Sequence, residues 1–128
     1  MFKIDHVGMY VNDMEKMKEF YIKYFGAKPQ PMYHNPKTEF RSTFLQFHDG
    51  AKLEIMTRPD TVDGEKQMTR TGFVHISMSL GSKEAVDEMA AKIKGDGYTL
   101  VSGPRTCGDG SYMACILDPE GNQVEMKI

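Results

Sequence analysis

The 128-residue chain is short of the features that would take it to a membrane, out of the cell or onto a nucleic acid. No unbroken apolar run reaches the roughly 18 residues that a bilayer-spanning helix requires. The opening residues, Met1-Phe2-Lys3-Ile4-Asp5-His6, lack the basic-then-apolar layout of a secretion signal. Basic residues do not outnumber acidic ones. Sixteen Lys and Arg against eighteen Asp and Glu leave a net charge of −2 and a pI of about 6.1. There is no positive surplus to neutralise a phosphate backbone, so nucleic acid is not an expected partner. Cysteine is scarce too, with only Cys107 and Cys115. Without an export signal they are expected to be reduced thiols, and the cytoplasm is the expected location.

What is present fits a globular protein. Hydrophobic residues make up 40% and charged residues 27%, the balance of an ordinary folded domain. The length suits one domain with a real core. Methionine is frequent, at 11 residues, and its flexible thioether reads first as core filling.

Residues 4–11 alternate as a strand. Val7, Met9 and Val11 share one face; Ile4, His6, Gly8 and Tyr10 share the other. Asp13 is placed to cap a helix whose apolar positions are Met14, Met17, Tyr21, Tyr24 and Phe25, and Gly26 stops it. Residues 27–34 read as an edge strand weakened by Pro29 and Pro31. Residues 39–48 and 51–57 read as a hairpin around Asp49-Gly50. After the polar connection 58–71 the order repeats. Residues 73–80 alternate with Val74, Ile76, Met78 and Leu80 on one face, and Ser82 caps a helix carrying Val86, Met89, Ala90 and Ile93. Gly95 and Gly97 end that helix. A strand over 98–102 is expected before Gly103-Pro104, then strands over 111–117 and 122–128 joined by Asp118-Pro119-Glu120-Gly121.

The two halves match in layout. A step of 69 residues carries His6 to His75 and Asp13 to Ser82, and a step of 71 carries Glu54 to Glu125. A nearly constant offset across three landmarks indicates a duplicated unit of about 70 residues. The fold class this predicts is α+β, with one strand, one helix and three strands in each half.

The same landmarks carry the candidate chemistry. His6 and His75 hold the same place in the first strand of each half and point away from its more apolar face. Glu54, between Leu53 and Ile55, and Glu125, between Val124 and Met126, hold the same place in each last strand. Because side chains alternate, each Glu faces away from its apolar neighbours. A lone strand histidine is seldom a ligand, and a lone glutamate on a polar face is usually just solvated. The paired layout is what distinguishes these four. If each half curls its sheet, His6, Glu54, His75 and Glu125 meet on the concave side as a set of two imidazoles and two carboxylates. Such a set suits a divalent ion and leaves positions open for water or substrate. His34 and His48 have no partner in the repeat and are assigned no role.

Three runs carry a resemblance: Asp5-His6-Val7-Gly8 at the start, the helix end Phe20-Tyr21 and Phe25-Gly26, and the closing Asp118-Pro119-Glu120-Gly121-Asn122-Gln123-Val124-Glu125. They resemble the vicinal oxygen chelate superfamily of glyoxalases, bleomycin resistance proteins and dioxygenases, and within it most of all glyoxalase I (lactoylglutathione lyase). The resemblance covers essentially the whole chain. It implies tandem βαβββ modules, about 1–58 and 72–128 joined by 59–71, forming curled mixed sheets around a central metal-binding cleft. It implies His6, Glu54, His75 and Glu125 as ligands in the order His, Glu, His, Glu. The expected cofactor is one divalent ion per site, nickel or cobalt before zinc, manganese or iron.

The activity implied is an enediolate-type proton transfer that turns the hemithioacetal of a thiol and a 2-oxoaldehyde such as methylglyoxal into a thioester. Glu125 is the expected base, with Glu54 sharing the task. The expected substrate is a small molecule, and the expected assembly a homodimer whose sites are shared between chains. Two departures qualify the glutathione assignment. Tyr10 stands where glutathione-using members resemble one another in carrying Arg, and Ile55-Met56-Thr57-Arg58 stands where they carry Asn. Arg58, Lys66, Arg70 and Arg105 remain as anion-binding candidates. An epimerase of the methylmalonyl-CoA type and a non-catalytic small-molecule-binding module are the alternative readings.

Overall fold

The computed structural model describes residues 1–128, which fall into two compact units, Met1–Gly64 and Glu65–Ile128. In the first unit, strand β1 (His6–Tyr10) leads into helix α1 (Met14–Phe25). Four strands follow: β2 (Lys28–Pro29), β3 (Tyr33–Asn35), β4 (Phe40–Gln46) and β5 (Lys52–Thr57). The sheet order is β1-β5-β4-β2, with β3 also on β4. The β1–β5 pair is parallel and the others antiparallel.

Local chemistry explains the helix ends. The Asp13 side chain accepts from the Lys16 amide at 3.0 Å, filling one of the donors a helix start leaves open. Gly26 closes the helix at φ 66, a left-handed conformation that costs glycine little. Met14, Met17, Phe20, Tyr21 and Tyr24 are buried against the sheet, where Leu45, Leu53 and Ile55 meet them. Phe20 rather than the half-exposed Phe25 completes that stripe. Each fully buried side chain of this size contributes roughly 1.5–3 kcal/mol. The expected strand over 27–34 is two short pieces, β2 and β3, with Pro31 in the gap between them. Proline has no N–H to give a ladder, so pairing lapses around it.

The second unit repeats the plan. It has β6 (His75–Ser79), α2 (Lys83–Gly95), β7 (Leu100–Thr106), β8 (Tyr112–Leu117) and β9 (Gln123–Lys127). The order is β6-β9-β8-β7, with β6 and β9 parallel. Ser82 caps α2 through the Ala85 amide at 3.1 Å, and Val86, Ala90 and Ile93 are buried. The strand expected to end before Gly103-Pro104 instead runs through it to Thr106. The register slips on both sides of Ser102, and β7 lies at the sheet edge, the one place a strand tolerates a proline. Gly103 has φ 79, and a Cβ there would stand 2.5 Å from the Met113 carbonyl oxygen, so no larger residue fits.

Asp118 organises the turn between β8 and β9. It is 3% exposed, and its carboxylate accepts from the amides of Glu120 at 2.9 Å and Asn122 at 3.0 Å and from the Asn122 side chain. Both cysteines are unpaired, and no helix is long and apolar enough to cross a membrane.

Candidate metal centre

Register sets the candidate ligands. On β1, His6 and Gly8 face the same side, and Gly8 pairs with Glu54 on β5. On β6, His75 and Ser77 face the same side, and Ser77 pairs with Glu125 on β9. The buried alternate residues, Leu53 and Ile55 beside Glu54 and Val124 and Met126 beside Glu125, hold the opposite faces in the core. The hydrophobic pattern thus aims both glutamates outward, because a one-residue slip would bury them.

The result is two matching pairs. His6 Nε2 lies 3.6 Å from Glu54 Oε1, and His75 Nε2 lies 3.4 Å from Glu125 Oε2. Each glutamate side chain is 17% exposed, and the two histidines are 40% and 41% exposed. The equal exposure means both pairs sit at the same depth in their sheets. In neither unit does a third His, Cys, Asp or Glu join the pair to make a three-ligand group.

Both separations exceed an ordinary hydrogen bond. They match a shared ion. Nitrogen and oxygen ligands at about 2.0–2.2 Å from one metal stand roughly 2.8–3.6 Å apart at angles between octahedral and tetrahedral. The donor set, imidazole with carboxylate, suits borderline divalent ions. Within each unit, the pair present fits two of the positions around such an ion.

The surroundings of the two pairs differ. The Asp5 carboxylate lies 2.8 Å from His6 Nδ1, which fixes the tautomer and leaves Nε2 to face Glu54. Lys52 reaches Asp5 at 3.3 Å, and the His6 contact followed by Lys52 holds the Asp5 carboxyl below its usual range. Phe44, opposite Glu54 in register, meets the His6 ring edge-on at 5.1 Å. In the second unit the Ser77 hydroxyl donates to Glu125 Oε1 at 3.3 Å, leaving Oε2 toward His75. Cys115 takes the register place of Phe44. Burial first, and the Glu125 charge second, push its thiol up, which disfavours the thiolate.

Sequence reasoning named the four candidate ligands, which the structure brings together as two pairs, and missed Asp5 and Ser77. The signals were there, a carboxylate adjoining His6 and a hydroxyl two residues after His75. Of the four anion-binding candidates, Arg58 lines a cleft with Tyr10, while Lys66 donates to the Glu120 carbonyl and Arg70 to the Gln67 carbonyl at 3.0 Å.

Two mixed sheets, each with one helix and one outward His–Glu pair, define a class of duplicated βαβββ protein. The model of the Glyoxalase/Bleomycin resistance protein/Dioxygenase superfamily matches residues 3–126, and the chain belongs to that family. A lactoylglutathione lyase of Haemophilus influenzae is 24% identical over 123 residues, which is 96% of this chain and 90% of that one. A lactoylglutathione lyase of Arabidopsis thaliana is 27% identical over 94% of this chain, which spans only 42% of the plant protein. The trypanothione-dependent glyoxalase I of Leishmania major has the same fold, with a TM-score of 0.79 at 18% identity over 99% of this chain and 86% of that one. A glyoxalase family protein from Bacillus cereus gives a TM-score of 0.84 at 14% identity over 99% of this chain and 93% of that one.

Proposed function

We propose that the protein is a metal-dependent, glyoxalase I-like lyase or isomerase that moves a proton between adjacent carbons of a thiol–2-oxoaldehyde hemithioacetal to give a thioester. The observation that carries this reading is the pair of His–Glu sets in equivalent register, His6 with Glu54 and His75 with Glu125, each at an ion-sharing separation. The names of the lactoylglutathione lyase relatives support it.

A divalent ion bound by these four residues, nickel or cobalt before zinc, manganese or iron, would polarise neighbouring substrate oxygens and stabilise the charge left by proton removal. Each residue of the chain then has a task. His6, steadied through Nδ1 by Asp5, and His75 hold their imidazoles as ligands. Glu125 takes the proton from one carbon and returns it to the next, and the Ser77 hydroxyl keeps that carboxylate in place through Oε1. Glu54, beside a glycine at Gly8 rather than a serine, has no such tether and shares the transfer from its own side. Each unit supplies two ligands, so a full set takes two units. We assign that meeting to a homodimer whose sites draw one unit from each chain.

Tyr10 and Arg58 at the positions that differ from glutathione-using members favour a second reading, a thioester epimerase using the same proton transfer. Two measurements test the proposal. Elemental analysis of purified protein should find, or titration restore, about one divalent ion per His2Glu2 set. The metal-loaded protein, offered methylglyoxal with several thiols, should form a thioester with at least one. Unchanged metal affinity in the His6→Ala/His75→Ala double variant would overturn the site. Metal binding without turnover of any hemithioacetal, but with proton exchange next to a thioester carbonyl, would select the epimerase.

A further inference from the structure

The imidazole of His6 is held from more sides than a strand histidine needs. Its register partner on β5 is Lys52, and the Lys52 amide donates to the Asp5 carbonyl at 3.0 Å, which sets the backbone before β1 beside the start of β5. The Asp5 carboxylate then bridges two groups. Oδ2 lies 2.8 Å from His6 Nδ1, and Oδ1 takes the Lys52 ammonium at 3.3 Å. That ammonium stands 5.8 Å from the centre of the Phe44 ring, within cation–π reach. Phe44 in turn meets the His6 ring edge-on at 5.1 Å. The four side chains His6, Asp5, Lys52 and Phe44 close a loop around one candidate ligand.

Stability does not explain the loop. Asp5 is 68% exposed, and an ion pair in that position is screened by water and adds little to folding. A fixture for His6 explains it better. A carboxylate on Nδ1 fixes the orientation and tautomer of the ring, leaves Nε2 with the free lone pair, and strengthens that nitrogen as a metal donor. Lys52 holds the same carboxylate at its other oxygen, which keeps it from turning away from the ring. Nε2 is the atom that faces Glu54, at 3.6 Å.

The second unit has the same His–Glu pair without the loop. Val74 precedes His75, Gln123 is the register partner of His75, and Cys115 stands opposite Glu125. None of these three offers a carboxylate, an ammonium or a ring. The Ser77 hydroxyl reaches Glu125, not His75. We propose that Lys52, acting through Asp5 and beside Phe44, is a positioning residue that makes the His6–Glu54 half the anchor of the ion, with the His75–Glu125 half binding it more weakly. The proposal rests on the reading of both pairs as ligands and adds an order between them.

Cobalt(II) alone is the probe, added to the full chain after chelation. Uptake is followed by visible absorption against a competing chelator, and the exchangeable imidazole N–H signals of the cobalt-loaded protein by proton NMR. Asp5→Ala and Lys52→Met should each weaken cobalt affinity, Asp5→Ala by about 10- to 100-fold. Lys52→Arg should stay close to wild type. Val74→Ala and Gln123→Ala, the matching changes in the second unit, should alter affinity less than about threefold. His75→Ala should hold cobalt at least about tenfold more tightly than His6→Ala. The His6 Nδ1 proton should exchange with water more slowly than that of His75, and Asp5→Ala should remove the difference. Urea midpoints of the Asp5 and Lys52 variants should match wild type, because the pair is exposed. An affinity of Asp5→Ala or Lys52→Met within about threefold of wild type, an equal loss in Val74→Ala, or a loss that comes with a lowered midpoint overturns the proposal while wild type still takes up cobalt. No uptake by wild type overturns the metal-centre reading itself, and the proposal with it.

Discussion

Replacing Asp118 by alanine tests how the closing signature builds the site. The side chain is 3% exposed, and its carboxylate takes the Glu120 amide at 2.9 Å, the Asn122 amide at 3.0 Å and the Asn122 side-chain amide at 3.0 Å. Hydrogen bonds to a charged acceptor contribute roughly 1.5–3 kcal/mol each, but three sharing one turn do not add in full. Alanine leaves three donors partly buried without an acceptor, and the expected loss is about 3–4 kcal/mol. That is a large share of the 5–15 kcal/mol typical of a whole domain. Asparagine keeps one oxygen for the two backbone amides but sets its NH2 against that of Asn122, and about 1–2 kcal/mol should be lost. Urea unfolding at neutral pH reads both, with a midpoint fall for alanine of roughly 1–3 M. An alanine variant within about 1 kcal/mol of wild type, or an asparagine variant worse than alanine, refutes the view that this carboxylate sets the β8–β9 turn and hence the position of Glu125.

Three further outcomes are expected. Metal-saturated Glu125→Gln should stay folded and keep much of its metal affinity, yet lose about 100- to 10,000-fold in turnover. Turnover near wild type moves the base to Glu54. Mixing inactive His6→Ala and His75→Ala chains should restore part of the activity, since a mixed dimer with shared sites regains one intact site. No recovery despite demonstrated heterodimers places each site within one chain. The Asp87 carboxylate accepts the Tyr112 hydroxyl and, with burial adding to it, raises that phenol above 10.0. The folded value lies above the unfolded one, so this contact's stability is present below pH 10 and lost as pH climbs through the raised value. In an ultraviolet titration, Tyr112→Phe should remove a tyrosine that ionises above 10.0, and loss of one that ionises at or below 10.0 instead refutes the assignment.

The legible parts of this chain were those governed by period and caps. Alternation put His6, Glu54, His75 and Glu125 on the open faces because their neighbours, Leu53, Ile55, Val124 and Met126, had to be buried. Asp13 and Ser82 cap their helices because a short oxygen side chain fills orphan donors wherever it stands at a helix start. The illegible parts depended on pairing. Gly103-Pro104 signals a stop in a central strand, and only the edge position of β7 lets the strand continue through it. That Tyr10 and Arg58 share a hydrogen bond depends on β1 lying parallel to β5, which no local pattern encodes.

Pairing also exposes how far the two halves have diverged around a common plan. The His–Glu pairs coincide in register, exposure and closely in spacing, but the neighbours do not. Val74 stands where Asp5 does, so the second histidine has no carboxylate beside it in sequence. Ser77 stands where Gly8 does, so only the second glutamate is tethered. Cys115 stands where Phe44 does, so only the first histidine has an aromatic edge against it. A bare structural ion needs no such differences, because any two equal halves can supply four ligands. In the proposed proton transfer Glu125 moves the proton and Glu54 has the lesser share, and carboxylates with unequal tasks suit unequal environments. The unequal surroundings of two otherwise matching His–Glu pairs support the proposed proton transfer over metal binding alone.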